Sequence, residues 1–124
     1  MEPFGSEMSD DEVTTFLEEM GHGTLAFGSE RGGYAVPMSF GYDSERDRCI
    51  FQFGFDDHSR KRTYIDAGNT VSLCTYYWDD VDHWRSVVVC GTLHELVDEG
   101  ASQAAETFAE QAKIPSLDVF RQPL

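Results

Sequence analysis

Three of the nine basic residues of this chain are consecutive, in the run 59–62 (SRKR). The run follows a strand-like segment, residues 49–55, and a turn-forming DDH sequence, and Ser59 is a residue that caps helices. Arg60 and Lys61 would then lie in the first turn of a short helix, where free backbone N–H groups and the helix dipole attract phosphate. The pattern predicts an anion-binding turn. The alternative is a solvated basic turn or ion pairs with nearby aspartates.

The net charge limits the partners of the chain. Asp and Glu total 23, Lys and Arg total 9, and the formal net charge is −14. The only lysines are Lys61 and Lys113. An acidic, lysine-poor surface is typical of proteins that work in high salt, where counterions screen the repulsion, so we expect a halophilic source. We expect no nucleic-acid partner, because a phosphate backbone requires a basic stripe.

Length and hydropathy predict one domain over residues 1–124. A chain of this size can form a single core, and dimerisation would add substantially to the surface that it buries. No apolar run approaches the roughly 20 residues of a membrane-spanning helix, so no membrane partner is expected. Residues 1–12 are acidic and contain neither a basic leader nor an apolar signal core. We therefore expect a cytoplasmic protein.

The cysteines and histidines give little support to a metal site. The three cysteines form no CxxC pair, and each lies inside an apolar, strand-like run: Cys49, Cys74 and Cys90. We interpret them as small buried core residues. The four histidines lack the i,i+4 spacing and the carboxylate pairing of a zinc site: His22, His58, His83 and His94. The sequence therefore predicts no metal.

Helical patterns flank a central run of strands. Residues 9–12 (SDDE) form a capping box that begins a helix over about residues 10–20, and Gly21 ends it. The apolar residues of this helix have helical spacing: Val13, Phe16, Leu17 and Met20. A second helix is predicted over about residues 98–112, since its alanines and Phe108 recur at spacings that a helix could bury.

Five strands are predicted between the helices, over residues 24–29, 34–42, 48–55, 70–78 and 84–96. Pro37 interrupts the second strand, which suggests an edge or a bulge whose unpaired backbone groups are free to bind a ligand. Gly91 suggests a bend in the fifth strand. Five antiparallel strands suit a small closed or partly closed barrel over about residues 23–96. The predicted fold class is mainly β with flanking helices (α+β).

Four motifs together carry a resemblance to a known family. They are residues 34–40 (YAVPMSF), 50–53 (IFQF), 59–61 (SRK) followed by 69–71 (NTV), and 84–91 (WRSVVVCG). From about Val13 to Leu96 the chain resembles the pyridoxamine 5′-phosphate oxidase-like family of FMN-binding split β-barrels. The resemblance implies an antiparallel split barrel and a homodimer with one FMN in each of two interface clefts.

The resemblance also implies the cofactor-binding residues. Arg60 and Lys61, in the turn that Ser59 begins, would bind the FMN phosphate. Gln52 and Phe53 would touch the cofactor from the third strand, and Ser86 would reach it from the other subunit. The flavin ring would be lined by five consecutive residues of the second strand: Val36, Pro37, Met38, Ser39 and Phe40.

Two departures from the family argue against genuine pyridoxamine phosphate oxidation. True oxidases of the family have a basic residue at each end of the second-strand motif, where this chain has Ala35 and Phe40. They also end in a segment whose Trp and Arg bind flavin and substrate, whereas residues 116–124 contain no Trp and one Arg. We therefore expect a flavin-dependent oxidoreductase or flavin reductase that uses a small-molecule electron donor or acceptor. No conventional acid/base pair can be assigned.

Three alternatives stay open from the sequence. A relative on the same barrel could bind haem, with His58 or His83 as axial candidate, or a deazaflavin, whose tail needs more basic contacts than this turn supplies. The chain could be a non-catalytic FMN-binding protein, or a barrel that lost its cofactor and became an interaction module. Several polar aromatic residues near the expected cleft are better explained by turn capping and dimer packing than by catalysis: His58, Tyr76, Tyr77, His83 and Trp84.

Overall fold

The computed structural model describes residues 5–29, 32–52 and 70–113. Its helices are α1, Asp10–Met20, and α2, Asp98–Gln111. Its strands are β1, His22–Ser29; β2, Gly32–Ser39; β3, Gly41–Asp43; β4, Arg48–Ile50; β5, Thr70–Asp80; and β6, His83–Thr92. All described strand pairs are antiparallel, which confirms the predicted mainly β, α+β class. Neither described helix has the length and apolar character needed to cross a bilayer.

Helix α1 begins and ends as its sequence predicts. The Glu12 N–H donates to Ser9 Oγ at 3.2 Å and the Ser9 N–H donates to Glu12 Oε1 at 3.1 Å, so both halves of the capping box form. Gly21 ends the helix with φ of 68°, a left-handed conformation that favours glycine. Phe16 and Leu17 are buried, so the apolar stripe of α1 faces the core.

Four strands form one sheet in the order β2-β1-β5-β6, while β3 and β4 form a separate two-stranded sheet. The predicted single strand over residues 34–42 is wrong, because it is divided between β2 and β3 at Phe40. The Phe40 N–H donates to the Gly21 carbonyl at 3.0 Å rather than to a neighbouring strand. The predicted barrel is consequently not closed within the described residues, where no ladder joins the two sheets.

Two other strands are shorter than predicted, and one predicted bend is not marked by a break in pairing. Within the described residues, the strands expected over 48–55 and 84–96 end at Ile50 and Thr92. Gly91 pairs in regular register, and the register shift lies instead between Trp78 and Asp80. Strand β2, which contains Pro37, lies at an edge of the described sheet, as a proline in a strand requires.

The inner face of the four-stranded sheet forms the core. Side chains alternate along a strand, so residues paired across strands share a face. Leu25 and Phe27 of β1 and Leu73 of β5 are almost fully buried on this face, with Phe40 beyond the end of β2. Burying such a side chain stabilises the fold by about 1.5 to 3 kcal/mol. Leu17 of α1 belongs to the same cluster, so α1 packs on this side of the sheet.

Helix α2 packs closely against β3. A Cβ atom at Gly41 would lie 3.0 Å from the Thr107 carbonyl oxygen and 3.1 Å from Phe108 Cα, so only glycine allows this approach without displacement. The Ser39 hydroxyl donates to the Lys113 carbonyl at 2.7 Å just beyond the helix. Helix α2 begins at Asp98 as predicted and ends at Gln111.

Candidate functional site

The side of the four-stranded sheet opposite the core is uncharged, and we call it the outer face. Strand alternation assigns its members: Gly33, Ala35, Pro37 and Ser39 on β2; His22, Thr24, Ala26 and Gly28 on β1; Thr70, Ser72, Cys74, Tyr76 and Trp78 on β5; and Trp84, Ser86, Val88, Cys90 and Thr92 on β6. None of them is Asp, Glu, Lys or Arg, although the chain contains 23 acidic residues. A sheet face with this composition is typical of a binding surface.

The hairpin of β5 and β6 extends past the core as a two-stranded arm, residues 76–86. Thr75 is the last buried residue of β5, and every residue of the arm is exposed. Tyr76 is 64% exposed, Trp78 59% and Trp84 39%. A two-stranded hairpin is marginal by itself in water, so its exposed aromatic side chains make the arm a candidate binding surface.

An open cavity of about 330 Å³ lies on the arm. Its surface is mainly apolar, and six consecutive or cross-strand neighbours line it: Tyr76, Tyr77, Trp78, Trp84, Arg85 and Ser86. Tyr76 pairs with Ser86, Tyr77 with Arg85, and Trp78 with Trp84. Strand alternation puts Tyr76, Trp78, Trp84 and Ser86 on the outer face and Tyr77 and Arg85 on the opposite side of the arm, so the cavity is dominated by aromatic surface.

The predicted flavin-lining strand is divided between the two sides of the sheet. Pro37 and Ser39 lie on the outer face, whereas Val36 and Met38 lie on the inner face. Phe40 is fully buried in the core. A strand with side-chain period two cannot present all five side chains to one ligand, so contacts from the inner-face positions would be made by backbone groups.

The other predicted site residues lie apart from this strand or outside the described residues. Ser86 is exposed on the outer face and lines the arm cavity. Gln52 is exposed just beyond β4. Four predicted cofactor-binding residues lie outside the described residues: Phe53, Ser59, Arg60 and Lys61.

Within the part of the chain that the structure describes, one group of three side chains at the tip of the arm is close enough together to hold a metal ion. Asp79, Asp80 and His83 each offer a ligand atom, and these atoms lie within 4.8 Å of one another. Asp80 Oδ1 is 2.8 Å from His83 Nδ1 and accepts the Asp82 N–H at 2.8 Å. The hydrogen bond with His83, followed by that from Asp82, lowers the pKa of Asp80. All three side chains are exposed, so the cluster is explained by these local contacts.

A second cavity, the polar cleft, lies between α1, the β3–β4 turn and α2, and has a volume of about 340 Å³. Five carboxylates line it: Glu18, Asp43, Glu45, Glu106 and Glu110. The Arg46 guanidinium donates to Asp43 Oδ2 at 3.0 Å and to Gln103 Oε1 at 2.7 Å. Desolvation raises the pKa of Asp43, but the side-chain and backbone hydrogen bonds from Arg46 outweigh it, and the net shift is downward.

Tyr42 connects the polar cleft to the core. Its N–H donates to Gln111 Oε1 at 2.7 Å and its carbonyl accepts from Gln111 Nε2 at 3.0 Å, so one side-chain amide pairs with β3 as a neighbouring strand would. Its hydroxyl donates to Asp47 Oδ1 at 2.5 Å. This hydrogen bond, followed by desolvation, raises the pKa of Tyr42 to about 12.

The structure corrects the assignment of two of the three cysteines to the core. Cys74, half-buried, and Cys90, exposed, both lie on the outer face, because β5 and β6 present these side chains away from α1. Cys49 is half-buried against the core cluster, and none of the three cysteines forms a disulfide. Burial, followed by the nearby Asp47 charge, raises the pKa of the Cys49 thiol to about 11.

The aromatic arm was only partly recognised from sequence. Tyr76, Tyr77 and Trp84 are prominent in the sequence, but their assignment to packing did not identify a cavity. Trp78 and Val88 were missed. The available signal was alternation: the outer-face positions of β5 and β6 contain no charged residue from Thr70 to Trp78 and from Trp84 to Thr92.

A two-sheet antiparallel α+β fold with an uncharged sheet face agrees with the comparison of the sequence with known families. A family model described as pyridoxamine 5′-phosphate oxidase matches residues 9–121. The chain therefore belongs to the pyridoxamine 5′-phosphate oxidase-like family. None of the curated proteins compared with the chain matches it.

Proposed function

We propose that the protein is an FMN-binding flavoprotein, a flavin-dependent oxidoreductase or flavin reductase that acts on a small-molecule electron donor or acceptor. Family membership supports a flavin, since this family commonly binds one. The observation that carries the proposal is the uncharged outer face. Its centre has small side chains, including Ala26, Ala35 and Cys74, and aromatic side chains border it on the arm. This surface leaves room for a planar ring.

In this proposal the protein is a homodimer with the cofactor between the subunits. Pro37 and Ser86 share the outer face but lie three strands apart, so at about 4.8 Å per strand they are roughly 15 Å from each other. A second copy related by a two-fold axis would bring its own Ser86 towards Pro37. The absence of carboxylates from this face removes the charge repulsion that would oppose self-association elsewhere on the surface.

Several residues would hold the cofactor in this proposal. Arg60 and Lys61 would bind its phosphate through charge-assisted hydrogen bonds, while Pro37 and Ser39 would contact the ring and Ser86 would approach from the partner. A bound flavin supplies the electron chemistry. The residues of the chain bind and orient it, and the aromatic arm excludes water. Genuine pyridoxamine phosphate oxidation is not proposed, because Ala35 is exposed where a true oxidase has a basic residue.

The first test is the absorption spectrum of protein purified in high salt, with identification of the chromophore released by heat. We expect FMN at close to one per subunit. Arg60→Ala and Lys61→Ala should each weaken FMN binding roughly ten- to a hundredfold, because each removes a hydrogen bond to a charged group worth about 1.5 to 3 kcal/mol. Lys113→Ala removes the same charge elsewhere and should leave the affinity unchanged.

Other chromophores would redirect the proposal. A haem or deazaflavin spectrum would contradict FMN as the cofactor. Colourless protein that takes up no FMN would contradict the flavin function altogether. If FMN binds, turnover of a nicotinamide donor with an artificial acceptor separates an enzyme from a storage or carrier protein.

A further inference from the structure

The first described residue of the chain lies against the aromatic arm. A Cβ atom at Gly5 would be 3.1 Å from Cζ2 and 3.3 Å from Cη2 of the Trp84 indole. The backbone at Gly5 therefore passes directly beside this ring, closer than most residues with a side chain allow. Trp84 lies on the outer face and lines the arm cavity. The chain that precedes Gly5 is thus attached next to the exposed aromatic surface.

The N-terminal residues reach Trp84 from the inner side of the sheet. Helix α1 packs on that side, and strand alternation turns the Arg85 side chain to the same side. Hydrogen bonds with Ser9 are the main cause of the lowered pKa of Glu12, and the nearby Arg85 guanidinium lowers it further. Since β6 is an edge strand of the described sheet, residues 5–9 pass around its edge towards the outer face.

The composition of residues 1–4 (MEPF) suits this surface. Met1 and Phe4 are apolar, and Pro3 restricts the backbone, which lowers the entropy lost on docking. The Cα atom of Phe4 is about 3.8 Å from that of Gly5, so the Phe4 side chain can reach the Trp84 ring. Two aromatic rings attract each other at centroid separations of about 4.5 to 7 Å, and methionine sulfur also contacts aromatic rings favourably.

We propose that residues 1–4 dock on the aromatic surface of the arm of their own subunit, with the Phe4 ring against Trp84 in the arm cavity. The covalent connection through Gly5 gives the segment a high effective concentration at this surface. A small molecule or a second copy that binds the same surface has to displace the segment, so the segment weakens such binding. The inference does not rest on the proposed flavin function.

The test is acrylamide quenching of tryptophan fluorescence on the purified protein. The signal is specific for the arm, because both tryptophans of the chain, Trp78 and Trp84, line the cavity. Acrylamide is neutral, so the net charge of −14 does not repel or attract it. Phe4→Ala should raise the quenching constant and shift the emission to longer wavelength, because water then reaches Trp84. Phe4→Leu, which keeps an apolar side chain, should give intermediate values.

Phe120→Ala is the matched control, since it makes the same substitution near the other end of the chain, and it should leave the quenching unchanged. Unchanged quenching in Phe4→Ala would overturn the inference. An increase in Phe120→Ala without one in Phe4→Ala would also overturn it, because the C-terminal residues would then cover the arm. These readouts need no chromophore, so the inference and the flavin function can fail separately.

NMR distinguishes docking within one subunit from docking on a second copy. Protein with ¹³C-labelled phenylalanine and ¹⁵N-labelled tryptophan should show an NOE between the Phe4 ring and the Trp84 indole, and Phe4→Leu identifies the Phe4 signals. The NOE should be absent when singly labelled proteins, one with each label, are refolded together. An NOE in that mixture would place the N-terminal residues of a second copy on the arm and contradict the proposal.

Discussion

The outer face of the sheet and the polar cleft have opposite characters. The outer face has no charged residue, yet Tyr76, Trp78 and Val88 are each about 60% exposed to water. The polar cleft is lined by five carboxylates, yet its central groups are paired, Asp43 with Arg46 and the Tyr42 backbone with Gln111. Apolar groups are thus left in water on one side of the molecule. On the other side the central polar groups pair with one another, although the buried Arg48 Nε next to Asp43 makes no hydrogen bond.

The difference separates a binding surface from a structural one. A polar network in which the members satisfy one another gains little from a ligand, and it holds α2 against β3. Exposed aromatic side chains gain the free energy of burial only when a partner covers them. The contrast supports the outer face, rather than the polar cleft, as the surface at which we propose that binding occurs.

The largest expected effect comes from a charge placed on the outer face. Val88→Glu should weaken the proposed dimer at least a hundredfold, because two-fold symmetry would bury two unpaired carboxylates in one interface. Val97→Glu is the control, since Val97 is 66% exposed but precedes α2 outside the sheet. Sedimentation equilibrium measures both. Equal dissociation constants for the two variants would contradict the assignment of the dimer interface to the outer face. So would a wild-type protein that is monomeric at every concentration.

A smaller effect is expected in the polar cleft. Gln111→Ala should lower the free energy of unfolding by about 2 kcal/mol, because it leaves the N–H and carbonyl of the buried Tyr42 without their partner. Gln103→Ala, on the same helix, loses one exposed hydrogen bond with Arg46 and should cost less than about 1 kcal/mol. Urea denaturation compares them, and equal losses would mean that the strand-like pairing of Gln111 does not hold α2.

The smallest effect on folding is expected for Cys90→Ser, which should change stability by no more than about 0.5 kcal/mol because the thiol is exposed. Thiol labelling sharpens the comparison with Cys49. Because its pKa is raised from 9.0 to about 11, the Cys49 thiol has roughly a hundredfold less thiolate at pH 8 than a thiol of ordinary pKa. Cys49 should therefore label far more slowly than the exposed Cys90. Single-cysteine variants and a chromogenic disulfide reagent measure the rates, and similar rates would contradict the burial of Cys49.

The same pKa shift sets the direction of a pH effect. The folded thiol of Cys49 keeps its proton more tightly than the unfolded one, so its contribution to stability is present below pH 9 and is lost as the pH rises through about 11. For Cys90 we expect the labelling rate to depend on protein concentration. Dimerisation through the outer face would cover this thiol, so labelling should slow as the protein concentration increases.

Local patterns in the sequence were sufficient for the elements that depend on near neighbours. The capping box of Ser9 and Glu12 forms as predicted, because its two hydrogen bonds join residues three positions apart. The left-handed Gly21 and the strand over residues 70–78 were likewise recognisable. The division of one predicted strand at Phe40 was not, because the acceptor for its N–H is the Gly21 carbonyl, a distant residue in sequence.

The candidate site was predictable only in part, for the same reason. Pro37 and Ser86 could be named from motifs, but their positions on one face, three strands apart, follow from the order in which the strands pair. The misplacement of Cys74 and Cys90 shows the limit directly. An apolar strand sequence does not say whether a given cysteine lies on the core side of the sheet or on the uncovered side.

By itself the sequence determined the acidic charge, the α+β class, the boundaries of α1 and the family to which the chain belongs, because these depend on composition, capping and short motifs. Only the tertiary structure decided which strand face lies against the core, how Gln111 pairs with Tyr42, and that the aromatic side chains of the arm are left exposed. These relations join residues far apart in the chain, and they are set by strand order and register, which no local pattern contains.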